Sequence, residues 1–478
     1  MLKESLFSGV IGAWLFIEPL RQNVLAQTVN PQVPAADSIK VLTDSVKTLT
    51  DAVAAAQTSA DTGFMLQCSA LVLLMTPGLA FFYGGFVRSR NVVNTLLMSF
   101  VVMALVGLSW VLWGYSLAFA PGQPFIGGLQ WLFLNAVGAE VSNYLQGSQP
   151  ETVVSYATTI PHQTFMIYQA MFAIITPALI SGAIVERVNF RAYCLFIVLW
   201  STFVYCPIAH MVWAKGGLIG LYGGFGALDF AGGTVVHCSA GISALVAALV
   251  LGSRETYPER ISAPHNVPFI LLGAGLLWFG WFGFNAGSAL ASGSLATVAF
   301  VATNTATAAA AFTWIVLEWV LKGRPTGIGF ATGVVAGLVG VTPAAGFVTP
   351  IQAILIGSIT AFCCFFAISI KSKLQIDDSL DAFPVHGVGG AVGAILTGVF
   401  ATKAVNSAGA DGLLLGNAAQ LLKQLAAVGI TYVIAGVGTF ILLLFLEVTV
   451  GLRVKREVEL EGMDNNEHYE AGYGEEFV

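Results

Sequence analysis

The sequence predicts an all-α integral membrane protein of eleven transmembrane helices, arranged as two inverted five-helix repeats plus a final helix. Three observations predict it: a charge-poor, apolar composition, apolar windows of membrane-crossing length that recur along most of the chain, and one motif that appears twice, five windows apart. Apolar residues make up 56% of the 478 and charged residues 10%, with a mean hydropathy of +0.80. An ordinary soluble domain carries roughly 25% charge, so most of this chain is written for lipid. Glycine, at 53 residues, is abundant; in a membrane protein this reads as helices packed closely through small residues, close enough to frame a narrow pore. The net charge of -6, with 20 Lys and Arg spread thinly, offers no basic face and excludes nucleic acid as a partner. Cys68, Cys194, Cys206, Cys238, Cys363 and Cys364 all fall in apolar stretches without a Cys-x-x-Cys pair, and read as small packing residues. Cys238 beside His237 does not make a metal site, because adjacent helical residues diverge by about 100°.

Residues 1–26 hold Lys3, an apolar run from Leu6 to Ile17 and the stretch Val24-Leu25-Ala26, the layout of a secretory signal peptide. Glu18 and Arg21 behind the run also fit an uncleaved anchor. Residues 27–60 are a polar N-terminal segment rich in Thr, Ala and Asp. Within it Ile39, Leu42, Val46, Leu49 and Val53 recur three and four residues apart, a short amphipathic helix below the roughly three heptads that mark a coiled coil.

The apolar windows lie at residues 62–86, 93–119, 160–184, 192–213, 229–251, 267–289, 295–320, 327–344, 350–370, 384–402 and 424–450, giving a transmembrane domain over 61–450. Each is near the length that crosses about 30 Å of hydrocarbon. With the first span starting outside, thirteen Lys and Arg fall in cytoplasmic segments, from Arg88 and Arg90 to Arg453, Lys455 and Arg456, against Lys215, Lys403 and Lys423 outside. That bias predicts an external N-terminus, a cytoplasmic C-terminus and a multi-pass protein of the cell (inner or plasma) membrane. The tail, 451–478, turns polar: three basic residues, then eight acidic ones.

The repeated motif carries the chemistry. Asp229-Phe-Ala-Gly-Gly-Thr-Val-Val-His237 opens the fifth span and Asp378-Ser-Leu-Asp-Ala-Phe-Pro-Val-His386 the tenth, and in each a glycine follows four residues on, Gly241 and Gly390. Because five is odd, the second copy crosses the membrane inverted, and the site falls where the halves meet. Each buried imidazole needs a partner, since an unsatisfied polar group in hydrocarbon costs several kcal/mol. Inverted symmetry offers each histidine the other, leaving nitrogens for a passing molecule. Asp229 and Asp378 stand where N-caps belong, and as buried anions would also favour a nearby cation. His210 and His265 read as structural; His162 and His468 read as residues of solvated segments.

With these motifs, and with Gly280-Trp-Phe-Gly-Phe-Asn-Ala-Gly-Ser288 and Asp381-x-Phe-x-Val-His-Gly387 at matching order and spacing, the chain resembles the ammonium transporter family (Amt/Mep/Rh), bacterial Amt type, over nearly all of 62–470. The resemblance implies a homotrimer with a pore through each subunit, an external site that recruits ammonium, a phenylalanine constriction, and twin histidines beneath it. Carried over, Trp213, Phe172, Ser288, Tyr168 and Asp229 belong to the recruitment site, Phe172 and Phe284 to the constriction, and His237 and His386 to the pair; Asp378 and Asp381 support. An aromatic face attracts a cation, by about 0.5–2 kcal/mol. Tyr168 departs from the bacterial pattern, which has phenylalanine there; its hydroxyl adds an acceptor. The resemblance also implies ammonium or ammonia as cargo, membrane lipid as surroundings, no cofactor or metal, and a tail that packs beneath a neighbouring subunit and helps a PII-type signal protein dock. Composition alone makes that tail a solvated, disordered segment. An enzyme is not indicated, for there is no nucleophile with a base and no cofactor loop. A sensor of the same fold would append a signalling domain where this chain has about 28 residues after the last window. A pore for a neutral molecule would not want Trp213 and Ser288 at its mouth.

Overall fold

The structure, a computed structural model, describes residues 35–146, 154–259 and 262–474; the leader expected over residues 1–26 lies outside them. The chain divides into two units, Met1–Ala60 and Asp61–Val478. In the first, residues 37–60 are helical and largely exposed. Helix α1 runs Ala35–Phe86, so the short amphipathic helix and the first expected span are one continuous element, there being no helix breaker between them.

The helices that follow are α2 (Ser89–Phe119), α3 (His162–Ile184), α4 (Phe190–Trp213), α5 (Gly233–Leu251), α6 (Val267–Ala289), α7 (Ser294–Lys322), α8 (Gly327–Val341), α9 (Pro350–Lys373), α10 (Phe383–Phe400) and α11 (Ala418–Thr449). Among the described residues ten helices are long and apolar enough to cross a membrane. The exception is α8, whose 15 residues span about 22 Å, short of the roughly 30 Å of hydrocarbon. The window read over 327–344 stops early because Pro343 turns the chain, its carbonyl accepting Phe230 N–H at 3.1 Å. A two-residue hairpin, β1 (Gly122–Gln123) against β2 (Ile126–Gly127), is the one strand pair among the described residues and was not legible in the sequence.

All of α3 except Gln163 and Ile167 is buried. A helix apolar all round belongs at the centre of a bundle, and α3 is that centre. On the periphery α11 exposes Phe440, Ile441, Leu444, Phe445 and Val448, as a lipid-facing helix does. Helix starts are capped: Asn189 accepts from Arg191 N and Ala192 N, Asn266 from Phe269 N, and Thr349 with Gln352 forms a capping box on α9.

Helices α5 and α10 pass head to tail through their glycines. A Cβ on Gly241 would land in the backbone of Gly387, and one on Gly390 would lie 2.8 Å from His237 Cβ. The glycines of the repeated motif thus bring the two histidine-bearing segments into contact. Both segments, Gly233–Cys238 and Phe383–Val388, are π-helical, a rare local form that recurs at functional sites.

Through residue 474 the tail is ordered and docks on its own chain, against the disorder that composition favoured. It forms α12 (Arg456–Glu461) and α13 (Met463–His468). Asp464 accepts Val93 N at 3.0 Å and Asn94 N at 2.8 Å near the start of α2, and Met463 N donates to Asn91 Oδ1 at 2.8 Å. His468, read as solvated, is half-buried against Phe190 with Nε2 2.9 Å from Asn94 Oδ1. Tyr473 reaches His265 Nε2 at 2.7 Å. Beneath this lies Glu186, which accepts from Arg88 Nε (2.9 Å), Asn91 Nδ2 (2.5 Å) and Arg254 Nη1 (2.7 Å). Burial alone would raise its pKa, but Arg254 and then Arg88 outweigh that and hold it down to about 2.

Candidate functional site

A vestibule of about 360 Å³ opens where α4 and α6 end, beside the first turns of α3 and the start of α5. Phe172, Trp213, Asp229, Ser288, Lys215 and Tyr222 are among its walls. Trp213 closes α4, half-buried, with Nε1 donating to Asp229 O at 3.0 Å, so its ring face is what remains for a ligand. Ser288 donates to Phe284 O at 2.9 Å, which leaves its oxygen lone pairs as acceptors.

Two residues sit otherwise than expected. Tyr168 is fully buried and not among the vestibule walls. Its hydroxyl, 2.7 Å from Phe284 O and 3.1 Å from Gly283 O, donates to that backbone, and Ser288 Oγ lies 3.2 Å away. It braces α6 from the central helix instead of adding an acceptor at the mouth. Asp229 does border the vestibule, but its carboxylate accepts from Gly232 N, Gly233 N, Thr234 N and Val235 N, and from the Thr234 hydroxyl. It is the cap of α5, with its charge spread over five donors.

Below the vestibule, Phe172 of α3 and Phe284 of α6 meet with ring centroids 4.3 Å apart, both buried. Trp213 packs edge-on to Phe172 at 5.6 Å. Beneath the two rings lies a cavity of about 10 Å³, the room of a single water-sized molecule. Its walls are apolar save for His237, His386 and Trp281. The histidines lie 3.3 Å apart, Nδ1 to Nδ1, and His237 Nε2 is buried without a partner. Trp281 stacks on His237 at 5.3 Å and fixes itself through Nε1 to Thr342 Oγ1 at 2.8 Å. A position three residues before Phe284, on the same α-helix, gave no separate signal for that contact.

A second small cavity, about 20 Å³, continues past His386 between Phe82, Tyr83, Leu380 and Asp381. Asp378 caps α10 by accepting Ala382 N at 3.0 Å and Phe383 N at 2.7 Å, mirroring Asp229. Burial pushes its carboxyl up to about 6, with Lys371 pulling the other way. Asp381, with φ of 59°, is paired instead with Lys371 Nζ at 2.6 Å. His162, read as solvated, is buried at the head of α3, stacked on Tyr144 at 3.6 Å and bonded to Tyr115 at 2.6 Å. His210 is structural, Nδ1 to Ala118 O at 2.9 Å, and His265 holds Val87 O at 2.8 Å.

The nitrogen geometry defines what the lumen can do. With two neutral imidazoles meeting at Nδ1, one donates and the other accepts, so their remaining nitrogens are of opposite kind: one acceptor, one N–H donor. A small molecule able both to give and to take a hydrogen bond is matched; a bare metal cation finds no ring of carbonyls or charges to replace its water.

A central buried helix, inverted partners and ten helices of membrane-crossing length define a multi-pass membrane protein of the transporter class. Residues 63–473 match the profile of the Ammonium Transporter Family, and the chain belongs to that family. It is 49% identical over 414 residues to an ammonium transporter of Bacillus subtilis (strain 168), covering 86% of this chain and 98% of that protein. It is 42% identical to the ammonium transporter Amt1 of Archaeoglobus fulgidus, covering 87% of this chain and all (100%) of the other. The fold is similar to the crystal structure of Saccharomyces cerevisiae Mep2, with a TM-score of 0.75 and 36% identity over 83% of this chain and 88% of that one. It is also similar to a sensor Amt protein, with a TM-score of 0.75 and 28% identity over 86% and 99%.

Proposed function

We propose that this chain conducts ammonium nitrogen across a cell membrane: ammonium gathers at the vestibule, gives up a proton there, and passes as ammonia between Phe172 and Phe284 and along His237 and His386. The observation that carries the reading is that His237 Nε2 is buried without a partner while the residue borders a cavity of single-molecule size. Leaving such an atom unsatisfied costs about 1–3 kcal/mol, a cost a passing hydrogen-bonding molecule removes. At the mouth, the Trp213 face attracts a cation and Ser288 accepts from it. Shedding the proton is what opens a dry path, because the hydrated ion cannot be matched by apolar walls. Potassium and sodium have no proton to lose, which gives selectivity.

In this reading the vestibule faces outside, as the distribution of Lys and Arg requires, and the tail lies in the cytoplasm. Residues 1–26 act as a signal peptide, and three subunits assemble, each with its own lumen. The ordered tail, with Tyr473 and the acidic face of α12 and α13, serves as the surface through which a PII-type protein acts.

In proteoliposomes given an ammonium pulse, current and internal pH report conduction directly. The wild-type chain yields an ammonium-specific signal, and His386→Ala abolishes it or admits potassium. An unaltered ammonium-specific current in that variant overturns the role given to the pair.

A further inference from the structure

We propose that residues 39–60 of α1 form one strand of a parallel coiled coil whose other strands are further copies of this chain. The helix lays out a seven-residue repeat: Ile39, Val46, Val53 and Ala60 at the first core position, Leu42, Leu49 and Ala56 at the second. Taken to Ala60, the repeat covers about three heptads, the length at which such a seam becomes significant. In the single chain its side chains are bare: Ile39, Leu42, Val46, Leu49 and Val53 are 47–68% exposed. A helix that shows a continuous apolar stripe to water is half of an interface.

The rest of the repeat says what the other half is. Every charge between residues 37 and 60, namely Asp37, Lys40, Asp44, Lys47 and Asp51, falls at the two positions farthest from the seam. The flanking positions hold only neutral residues: Thr43, Ser45, Thr50, Ala52, Gln57 and Ser59. Three of their hydroxyls are already spent on the helix itself, Thr43 Oγ1 on Ile39 O (2.8 Å), Thr50 Oγ1 on Val46 O (2.8 Å) and Ser59 Oγ on Ala55 O (2.9 Å), so burying them leaves no donor stranded. A helix lying on lipid would instead carry flanking Lys or Arg and large aromatic anchors. Here the charges nearly cancel and residues 37–60 contain no Phe, Trp or Tyr. A seam of strict seven-residue period asks for a partner with the same period, and copies of this chain supply it. Copies inserted in one bilayer share one topology, which makes their α1 helices parallel and holds them at high effective concentration.

The test uses the full-length chain in the membranes of the producing cell, with mild oxidation followed by a non-reducing gel, and reads no transport. Leu49→Cys sits on the seam and Asp51→Cys opposite it, both against the same background of native cysteines. Leu49→Cys should link subunit pairs faster by on the order of tenfold or more, the advantage of a fixed contact over chance collision. Adding Val46→Asp should remove that linkage by burying a charge in the seam. Equal linkage at both positions, absence of linkage at Leu49→Cys as a lipid-bound helix would give, or linkage that survives Val46→Asp each overturns the proposal.

Discussion

At the residue scale, the polar groups around the two histidines differ in how each is satisfied. Asp229 and Tyr168 are engaged with backbone, whereas His237 Nε2 is buried without a partner, and the proposed conduction rests on that contrast. Lys215 belongs to neither group. Its ammonium sits 3.1 Å over the Tyr222 ring in the vestibule wall, a tethered cation on the kind of surface that attracts a free one. Burial lowers its pKa to about 8. Below pH 8 it is charged, and under the proposed recruitment it opposes ammonium at the mouth; above, the charge is lost and so is the opposition. Lys215→Met should therefore raise apparent affinity for ammonium at pH 6–7, by roughly twofold to tenfold for a repulsion of about 0.5–1.4 kcal/mol at a wet site, and leave it unchanged near pH 9. Uptake measured at fixed ammonium-ion concentration across that range checks the sign; an effect independent of pH would place Lys215 outside the recruitment step.

At the element scale, the crossing of α5 and α10 is set by glycines whose spacing from the histidines is equal in the two repeats. The equality could be read in the sequence, but its meaning could not. Only the crossing shows that Gly241 makes room for the segment carrying His386, and Gly390 for His237. Gly241→Ala should cost more than the roughly 1–3 kcal/mol of ordinary overpacking, since the obstructing atoms are backbone of Gly387 and cannot rotate away. Thermal denaturation of the detergent-solubilised protein should show a clear loss, while Gly275→Ala, where nothing lies within 4 Å, should be close to neutral. The boundaries of α8 show the converse: apolar composition ran on to residue 344, and the helix ends at Val341, two residues before Pro343, whose missing N–H and ring do not fit a helix interior.

At the scale of the whole molecule, one face is locked by Glu186, which joins the loops after α1, α3 and α5, and by α12 through Glu459. Arg453 and Arg88 reach Glu459, at 2.7 Å to its Oε2 and 2.9 Å to its carbonyl, while Arg88 also holds Glu186. Because the pKa of Glu186 is lowered when folded, its contribution is present above the ordinary carboxylate range and is lost as pH falls toward 2. The contribution is on the order of 3 kcal/mol. Glu186→Gln should destabilise the protein at pH 7 and differ little from wild type near pH 2, as read from unfolding midpoints across pH. A constant difference at all pH values would show that shape, and not charge, is what the site needs.

The sequence by itself determined the environment, the approximate spans, the inverted repeat and the twin histidines, because lipid solvation and helix length act on local composition and because symmetry makes two residues stand out where one would not. Resemblance was needed to pick Phe172 and Phe284 from 33 phenylalanines, since nothing local marks a ring that faces a lumen. The tertiary structure decided the rest: that Tyr168 braces α6, that His162 is enclosed and His468 half-buried, that Trp281 backs His237, and that the tail through residue 474 is ordered on its own chain. Each of those depends on which distant backbone or ring arrives beside a side chain, and that is fixed by helix packing across hundreds of residues, not by neighbours along the chain.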